Sequence, residues 1–342
     1  MLLTNLFNLP TFQAVELTAQ IQRIAYMPTM LEAYGESLFV TSRSSSPFIA
    51  MAQTDEMLSL ITTSPRGAPP VELEKRPGDV RIFRTHRLAK ASTLYVDSLT
   101  AALTAPDWQM IQAVQAEFAD RAARIRRDIA FTMEWMRFGA IQGRVMDADG
   151  SILDDFWESW GVGMPGWIEL PLNDPTANLS ELRGAIRDLL RTAERTSKGG
   201  WIPGRTVFHA FCGRDFYDKL VTHPALAQTY LYHAGANELR GQIMDQFEFG
   251  GVLWIDYRGD DAGVLAIPDD EAHLFPVGGN EVFRTIWGPA EFEPWINQPG
   301  QEIYAIMIPD RDRGAWMRWE GYTYPLFICV RPEMLRRMRI KP

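Results

Sequence analysis

Cysteine is nearly absent from this chain: its 342 residues include two, Cys212 and Cys329. Each sits inside an apolar stretch, Phe211-Cys212 and Phe327-Ile328-Cys329-Val330, a setting that suits small buried thiols and excludes a disulfide framework or a cysteine metal site. Histidine is sparse as well. His86, His209, His223, His233 and His273 are scattered with no ligand spacing, and H-E-x-x-H, C-x-x-C and G-x-S-x-G do not occur, so neither metal nor triad chemistry is supported. The pairs Gly199-Gly200, Gly250-Gly251 and Gly278-Gly279 are not followed by Lys-Ser or Lys-Thr and make no G-x-G-x-x-G. They read as turns, not phosphate cradles. No apolar run approaches the ~20 residues of a membrane-spanning helix. Met1 to Pro10 also lacks a charged n-region and cleavage site, so a soluble, cytoplasmically made protein without a membrane partner is expected. Positive charge is in deficit, 34 Lys and Arg against 43 Asp and Glu for a net charge of -9. That balance argues against direct gripping of nucleic acid and leaves room only for weak, non-specific contact with DNA. No catalytic residue, cofactor site or metal site emerges.

What is present is enough apolar residue for a substantial core, 46% hydrophobic with 23% charged, over a length that fits one to three domains. Met1 to about Ser46 reads as an arm with a short helix around Thr11 to Arg23. From Phe48 to about Ser98 the pattern is a long two-stranded excursion. Val71 to Glu74 and Val80 to Ile82 alternate with period two, punctuated by Ser64-Pro65-Arg66-Gly67-Ala68-Pro69-Pro70 and Pro77-Gly78-Asp79. This excursion is basic against the trend of the chain: Arg66, Lys75, Arg76, Arg81, Arg84, Arg87 and Lys90 face only Glu72, Glu74 and Asp79. It is either a solvated hairpin or a protruding loop that lies on an acidic neighbour, and these seven residues are the candidates for inter-subunit contact.

A long helix follows. Pro106 suits its first turn, and Trp108, Ile111, Val114, Phe118, Ala122, Ile125, Ile129, Met133 and Met136 recur at spacings of three and four until Gly139 and Gly143. Glu117, Asp120, Arg121, Arg124, Arg126, Arg127, Asp128 and Arg137 occupy the opposite, solvent-facing side, so one stripe is core. Arg144 to Met146 and Ser151 to Leu153 flank Asp147-Ala148-Asp149-Gly150 as a tight hairpin. A calcium loop would place ligands at Asp147, Asp149, Ser151 and Glu158, but Ile152 stands where that loop needs glycine.

A strand over Gly166 to Leu172 leads into mixed α and β structure. Asn178-Leu179-Ser180-Glu181 resembles a capping box for an amphipathic helix carried by Leu182, Ile186, Leu189 and Ala193. Thr206 to Phe211 and Gly251 to Tyr257 read as buried strands, with two or three short helices between Gly213 and Asp245. The tail strand Tyr324 to Val330 is expected beside the hairpin and strand that follow the long helix. Carboxylates at Asp260-Asp261, Asp269-Asp270-Glu271 and Asp310 to Arg313 read as solvated loop charges, with a catalytic pair as the alternative.

This order of elements resembles the major capsid proteins of tailed phages with the Hong Kong 97 type fold, and most of all the lambda-like major head protein family, capsid family E. The local matches are Thr63 to Pro69, Gly139-Ala140-Ile141-Gln142-Gly143, Phe249 to Val252 with Asp256 to Gly259, and Leu274 to Gly278. Trp287-Gly288-Pro289-Ala290 and Pro325-Leu326-Phe327 with Arg331-Pro332-Glu333 complete them. The resemblance implies an α+β fold with an N-terminal arm over 1–47, an extended E-loop over 48–98 and a spine helix with peripheral domain over 99–176. An axial domain over 177–321 and a returning strand with the C-terminus over 322–342 follow.

The same resemblance implies a non-enzymatic shell protein that assembles with itself as pentamers and hexamers around packaged double-stranded DNA, in a virion put together in the bacterial host cytoplasm. Arm and E-loop use all the residues before the spine helix, so a separate scaffolding protein is implied, with a portal and a decoration protein as further partners. Some phage shells join a Lys and an Asn of different subunits as an isopeptide, for which Lys75 or Lys90 would be the donor. Two other functions stay open. One is an encapsulin-like compartment of the same fold, and the other is a soluble α/β hydrolytic enzyme with its site among Asp256, Asp260, Asp269 and His273.

Overall fold

The computed structural model describes residues 30–53, 79–95, 107–226, 246–257, 259 and 265–342. A 3₁₀ turn, Glu32–Ser37, leads into β1 (Phe39–Arg43), β2 (Phe48–Gln53), β3 (Asp79–Arg84) and β4 (Leu88–Tyr95). The helix α1 (Asp107–Gln142) follows, then β5 (Arg144–Met146), β6 (Ile152–Asp155), the single turn α2 (Phe156–Ser159) and β7 (Ile168–Leu170). The second half holds α3 (Leu179–Arg195), β8 (Val207–Cys212), α4 (Arg214–Thr222), β9 (Gln246–Phe249), β10 (Val252–Asp256), β11 (Glu271–Val277) and β12 (Phe283–Trp287). The chain closes with β13 (Tyr304–Pro309), β14 (Trp316–Thr323), β15 (Pro325–Cys329) and β16 (Arg336–Ile340). The sequence-predicted helix at Thr11 to Arg23, the strand at Val71 to Glu74 and part of the Gly213 to Asp245 helical stretch lie outside the described residues.

The helix α1 has 36 residues, about 54 Å at 1.5 Å per residue. Its apolar stripe is buried where its side chains are described, with Ala122, Ile125, Ile129, Met133 and Met136 between 0% and 3% exposed. The solvent-facing side ends sooner than the spacing predicts. Arg126 and Arg137 are 8% and 6% exposed; the 3₁₀ turn and β15 cover Arg137 through Glu32 and Phe327. Gly143 ends it with φ +86, and a side chain there would stand 2.4 Å from the Trp157 indole nitrogen. Only glycine accepts both the left-handed backbone and the ring packed against it.

The hairpin follows at once as β5 paired antiparallel with β6. Asp147 and Asp149 each turn a carboxylate oxygen back to the turn's own backbone, accepting from Ala148 N and Ser151 N. The expected capping box is present: Asn178 Oδ1 accepts from Glu181 N at 2.9 Å, and the Glu181 carboxylate accepts from Asn178 N.

The largest sheet has six strands in the order β7-β16-β11-β8-β10-β9. Its core is aromatic, with Phe208, Phe211, Trp254 and Phe275 each at most 1% exposed. The helix α4 lies on it through Phe216, stacked 5.9 Å from Trp254, and α3 covers the β9–β10 turn where Ile186 meets Gly250. Two three-stranded sheets, β1-β12-β15 and β13-β14-β4, join distant parts of the chain.

The tail strand departs from expectation. β15 pairs antiparallel with β12, not with the hairpin or β7. The strand that does lie beside β7 is β16, parallel to it and antiparallel to β11. Arg336-Arg337-Met338-Arg339-Ile340 looks basic, yet its period-two apolar residues, Met338 and Ile340, are buried at 0% and 6%.

Candidate inter-subunit surface

The sequence directs attention to the basic excursion, and the structure divides it. Arg66, Lys75 and Arg76 lie outside the described residues. Arg87 and Lys90, at the root, are engaged within their own chain. Arg87 donates from Nε to the Glu291 carboxylate at 3.0 Å and stands 5.0 Å over the Tyr322 ring, while Lys90 Nζ is 2.5 Å from Asp128 of α1. Both partners of each pair are about half exposed, so the ion pairs hold the root without burying charge. Arg81 and Arg84 are exposed on β3, with the Arg84 guanidinium 5.9 Å from the Phe48 ring centre.

These two arginines belong to a ribbon. β2 and β3 pair only with each other among the described residues, in the register Phe48↔Arg84, Ala50↔Ile82 and Met51↔Arg81. Alternation sorts the side chains onto two faces. Met51 and Phe83, each 6% exposed, point into the molecule, where Phe83 packs 6.2 Å from Phe156 and 5.7 Å from Trp160. On the other face Phe48, Val80 and Ile82 are 59%, 56% and 72% exposed. Three of the largest apolar exposures among the described residues therefore share one side of one ribbon, rimmed by Arg84. In the sequence the charge of this stretch dominates, although the alternation Val80-Arg81-Ile82-Phe83-Arg84 marks an apolar residue on each side.

The root of the ribbon is firmly fixed. Thr85 N donates to Pro47 O at 3.0 Å and His86 N to Pro325 O at 2.9 Å, and His86 Nε2 is 2.7 Å from the Asp154 carboxylate on β6. A single ribbon of two strands is marginal in water. Here one face is stapled to the core, and among the described residues no segment covers the other.

A second anchor lies under the 3₁₀ turn. Glu134, 2% exposed, accepts from Leu31 N at 2.6 Å, and Arg137 reaches Glu32 at 2.9 Å and Glu134 at 3.8 Å with its guanidinium 4.9 Å over the Phe327 ring. Burial raises the Glu32 pKa, Arg137 opposing it.

The grouping proposed for hydrolysis does not come together. Asp256 and Asp269 line one cavity with Arg214 and Asp218, whereas His273 lines another and lies 3.4 Å from Glu271; Asp260 lies outside the described residues. Asp310 turns its carboxylate to Asp312 N, Arg313 N and Ala315 N, which closes the β13–β14 turn and lowers its pKa. Cys212 and Cys329 are buried free thiols, their pKa values raised by burial. No helix among the described residues is long and apolar enough to cross a membrane.

Comparison with known proteins matches residues 13–340 to the family described as phage major capsid protein E. The major capsid protein of Salmonella phage Felix O1 is 27% identical over 253 residues, 65% of this chain and 67% of that protein. The major capsid protein of Pseudomonas phage KPP10 is 28% identical over 184 residues, so this match spans about half of either chain, 49% and 51%. Among solved structures, the putative capsid protein of a prophage of E. coli CFT073 superposes with a TM-score of 0.53 at 13% identity, covering 96% of this chain and 99% of that one.

Proposed function

Since the chain belongs to the family of phage major capsid protein E and has the Hong Kong 97 type fold, we propose that it tiles a closed icosahedral shell as pentamers and hexamers of itself. Residues 1–47 serve as an arm, 48–98 as the E-loop and 99–176 as spine helix and peripheral domain. Residues 177–321 form an axial domain, and 322–342 a returning strand with the C-terminus. The observation that carries this reading is the outward face of the ribbon. Phe48, Val80 and Ile82 gain roughly 1–2 kcal/mol each if an adjacent copy covers what remains exposed of them. One such contact is modest, but closed symmetry repeats it over every copy and the sum holds the shell. Arg81 and Arg84, with Arg66, Lys75 and Arg76 of the same excursion, orient the ribbon on an acidic surface of the neighbour. A separate scaffolding protein, a portal and a decoration protein are the further partners, with double-stranded DNA held non-specifically on the inner face. Assembly takes place in the host cytoplasm.

The test is electron microscopy and size-exclusion chromatography of the purified chain, alone and co-expressed with a scaffolding protein, for the natural sequence and for Ile82→Asp. Uniform closed particles, or capsomers that close with scaffold, support the reading, and Ile82→Asp should fold but fail to close. A stable monomer under every condition overturns it, and shells untouched by Ile82→Asp overturn the role given to the ribbon face.

A further inference from the structure

Where α1 ends, a cleft of about 370 Å³ opens between the helix, the β5–β6 hairpin and the β11–β16 pair of the six-stranded sheet. It is separate from the ribbon face and lies within the size range of ligand-binding pockets. Trp135, Phe138, Trp157 and Trp167 give it aromatic walls. Its charged lining is mostly guanidinium, with Arg144, Arg336 and Arg337 against the single carboxylate of Glu271.

Arg337 is the best placed of these. It donates from Nε to Pro165 O at 2.8 Å and stands 4.5 Å over the Trp167 ring, which fixes the plane of its fork. Arg144 is held by Asp155 at 2.7 Å, and Arg336 spends its donors on the carbonyls of Glu333 and Leu335 and on Thr196 Oγ1. Burial lowers the Arg337 pKa, Glu271 partly restores it and Arg144 lowers it further. Arg144 and Arg337 both line the cleft, so a carboxylate placed there meets two guanidinium groups. The Trp157 side chain is 5% exposed and its indole N–H has no hydrogen-bond partner among the described residues, a buried donor in want of an acceptor.

We propose that this cleft docks a segment of a separate protein through an aromatic side chain flanked by a carboxylate. The ring enters between the tryptophans, and the carboxylate takes the Arg337 fork with Arg144 beside it. Charge complementarity selects this occupant, because a cationic rim over aromatic walls rewards an acidic aromatic segment and rejects a basic one.

The experiment uses the full chain and three synthetic probes. Calorimetry compares acetyl-Asp-Phe-Asp-amide with acetyl-Lys-Phe-Lys-amide. A photoreactive version carrying benzoylphenylalanine in place of the phenylalanine is crosslinked and its attachment mapped by mass spectrometry. Expected are binding of the acidic peptide only, crosslinks at Trp135 or between Met164 and Trp167, and at least about tenfold weaker binding by Arg337→Gln. Trp167→Ala, which removes a half-buried ring and not a core side chain, should weaken binding likewise, with circular dichroism unchanged. Equal binding of the two peptides, no binding at millimolar concentration, crosslinks elsewhere, or unchanged affinity in both variants overturns the proposal.

Discussion

The six-stranded sheet and the β2–β3 ribbon are built from the same kinds of residue and treat them in opposite ways. In the sheet, Phe208, Phe211, Trp254 and Phe275 are covered by flanking strands and by α4. In the ribbon, Phe48 and Ile82 alternate with Met51 and Phe83 along the same two strands, yet only the second pair meets the core. The difference is one of neighbours, not of composition. A strand in the middle of a sheet has both faces claimed by its own chain, whereas a lone ribbon has one, and its second face remains available to another molecule.

Substitutions should separate these regions by size of effect on folding. Trp254→Ala opens a cavity in the sheet and should cost about 3–5 kcal/mol in urea denaturation. Glu134→Ala leaves the Leu31 N–H without its acceptor and removes one of Arg137's two carboxylates, at roughly 3 kcal/mol by the same measurement. A loss below 1 kcal/mol would mean that the 3₁₀ turn is not anchored as described.

A smaller effect belongs to His209, on the sheet strand β8, whose Nδ1 lies 2.9 Å from Tyr34 Oη. Burial brings its pKa down to about 4 from 6.5. The unfolded chain therefore binds a proton that the native state refuses between those values. Stability should be flat with respect to this group above pH 6.5 and fall as the pH drops toward 4. His209→Gln should flatten the decline in urea midpoint between pH 7 and pH 5.

At the ribbon root, a double-mutant cycle on Arg87 and Glu291 should return a coupling of only about 0.2–1 kcal/mol, since both side chains are half exposed. Ile82→Asp should alter folding least, within about 0.5 kcal/mol, while abolishing closed particles. If instead it unfolds the chain, the outward face serves the monomer and the contrast between the two regions collapses.

Much of this was legible in the residues. The 3.6-residue stripe ending in Gly139 and Gly143 marked α1, the Asp147 to Gly150 turn marked the hairpin, and Asn178 with Glu181 marked the cap, because each signal is local and its physics is complete within a few turns of chain. The strand β16 was missed because three arginines mask two buried apolar residues, and Arg126 and Arg137 were assigned to solvent because what covers them comes from remote segments. The candidate surface was half legible: its charge was read, but Arg87 and Lys90 proved to be committed to Glu291 and Asp128, partners far along the chain or on another element.

By itself, then, the sequence determined the buried stripe of α1, the hairpin turn, the capped helix α3 and the strands β8, β10 and β15, since periodicity and capping act over neighbouring residues. Only the tertiary structure decided that β15 joins β12, that β16 slips between β7 and β11, and that no described segment covers one face of the β2–β3 ribbon. Strand partners and exposure depend on which distant segments pack together, and that pairing leaves no local mark in the chain.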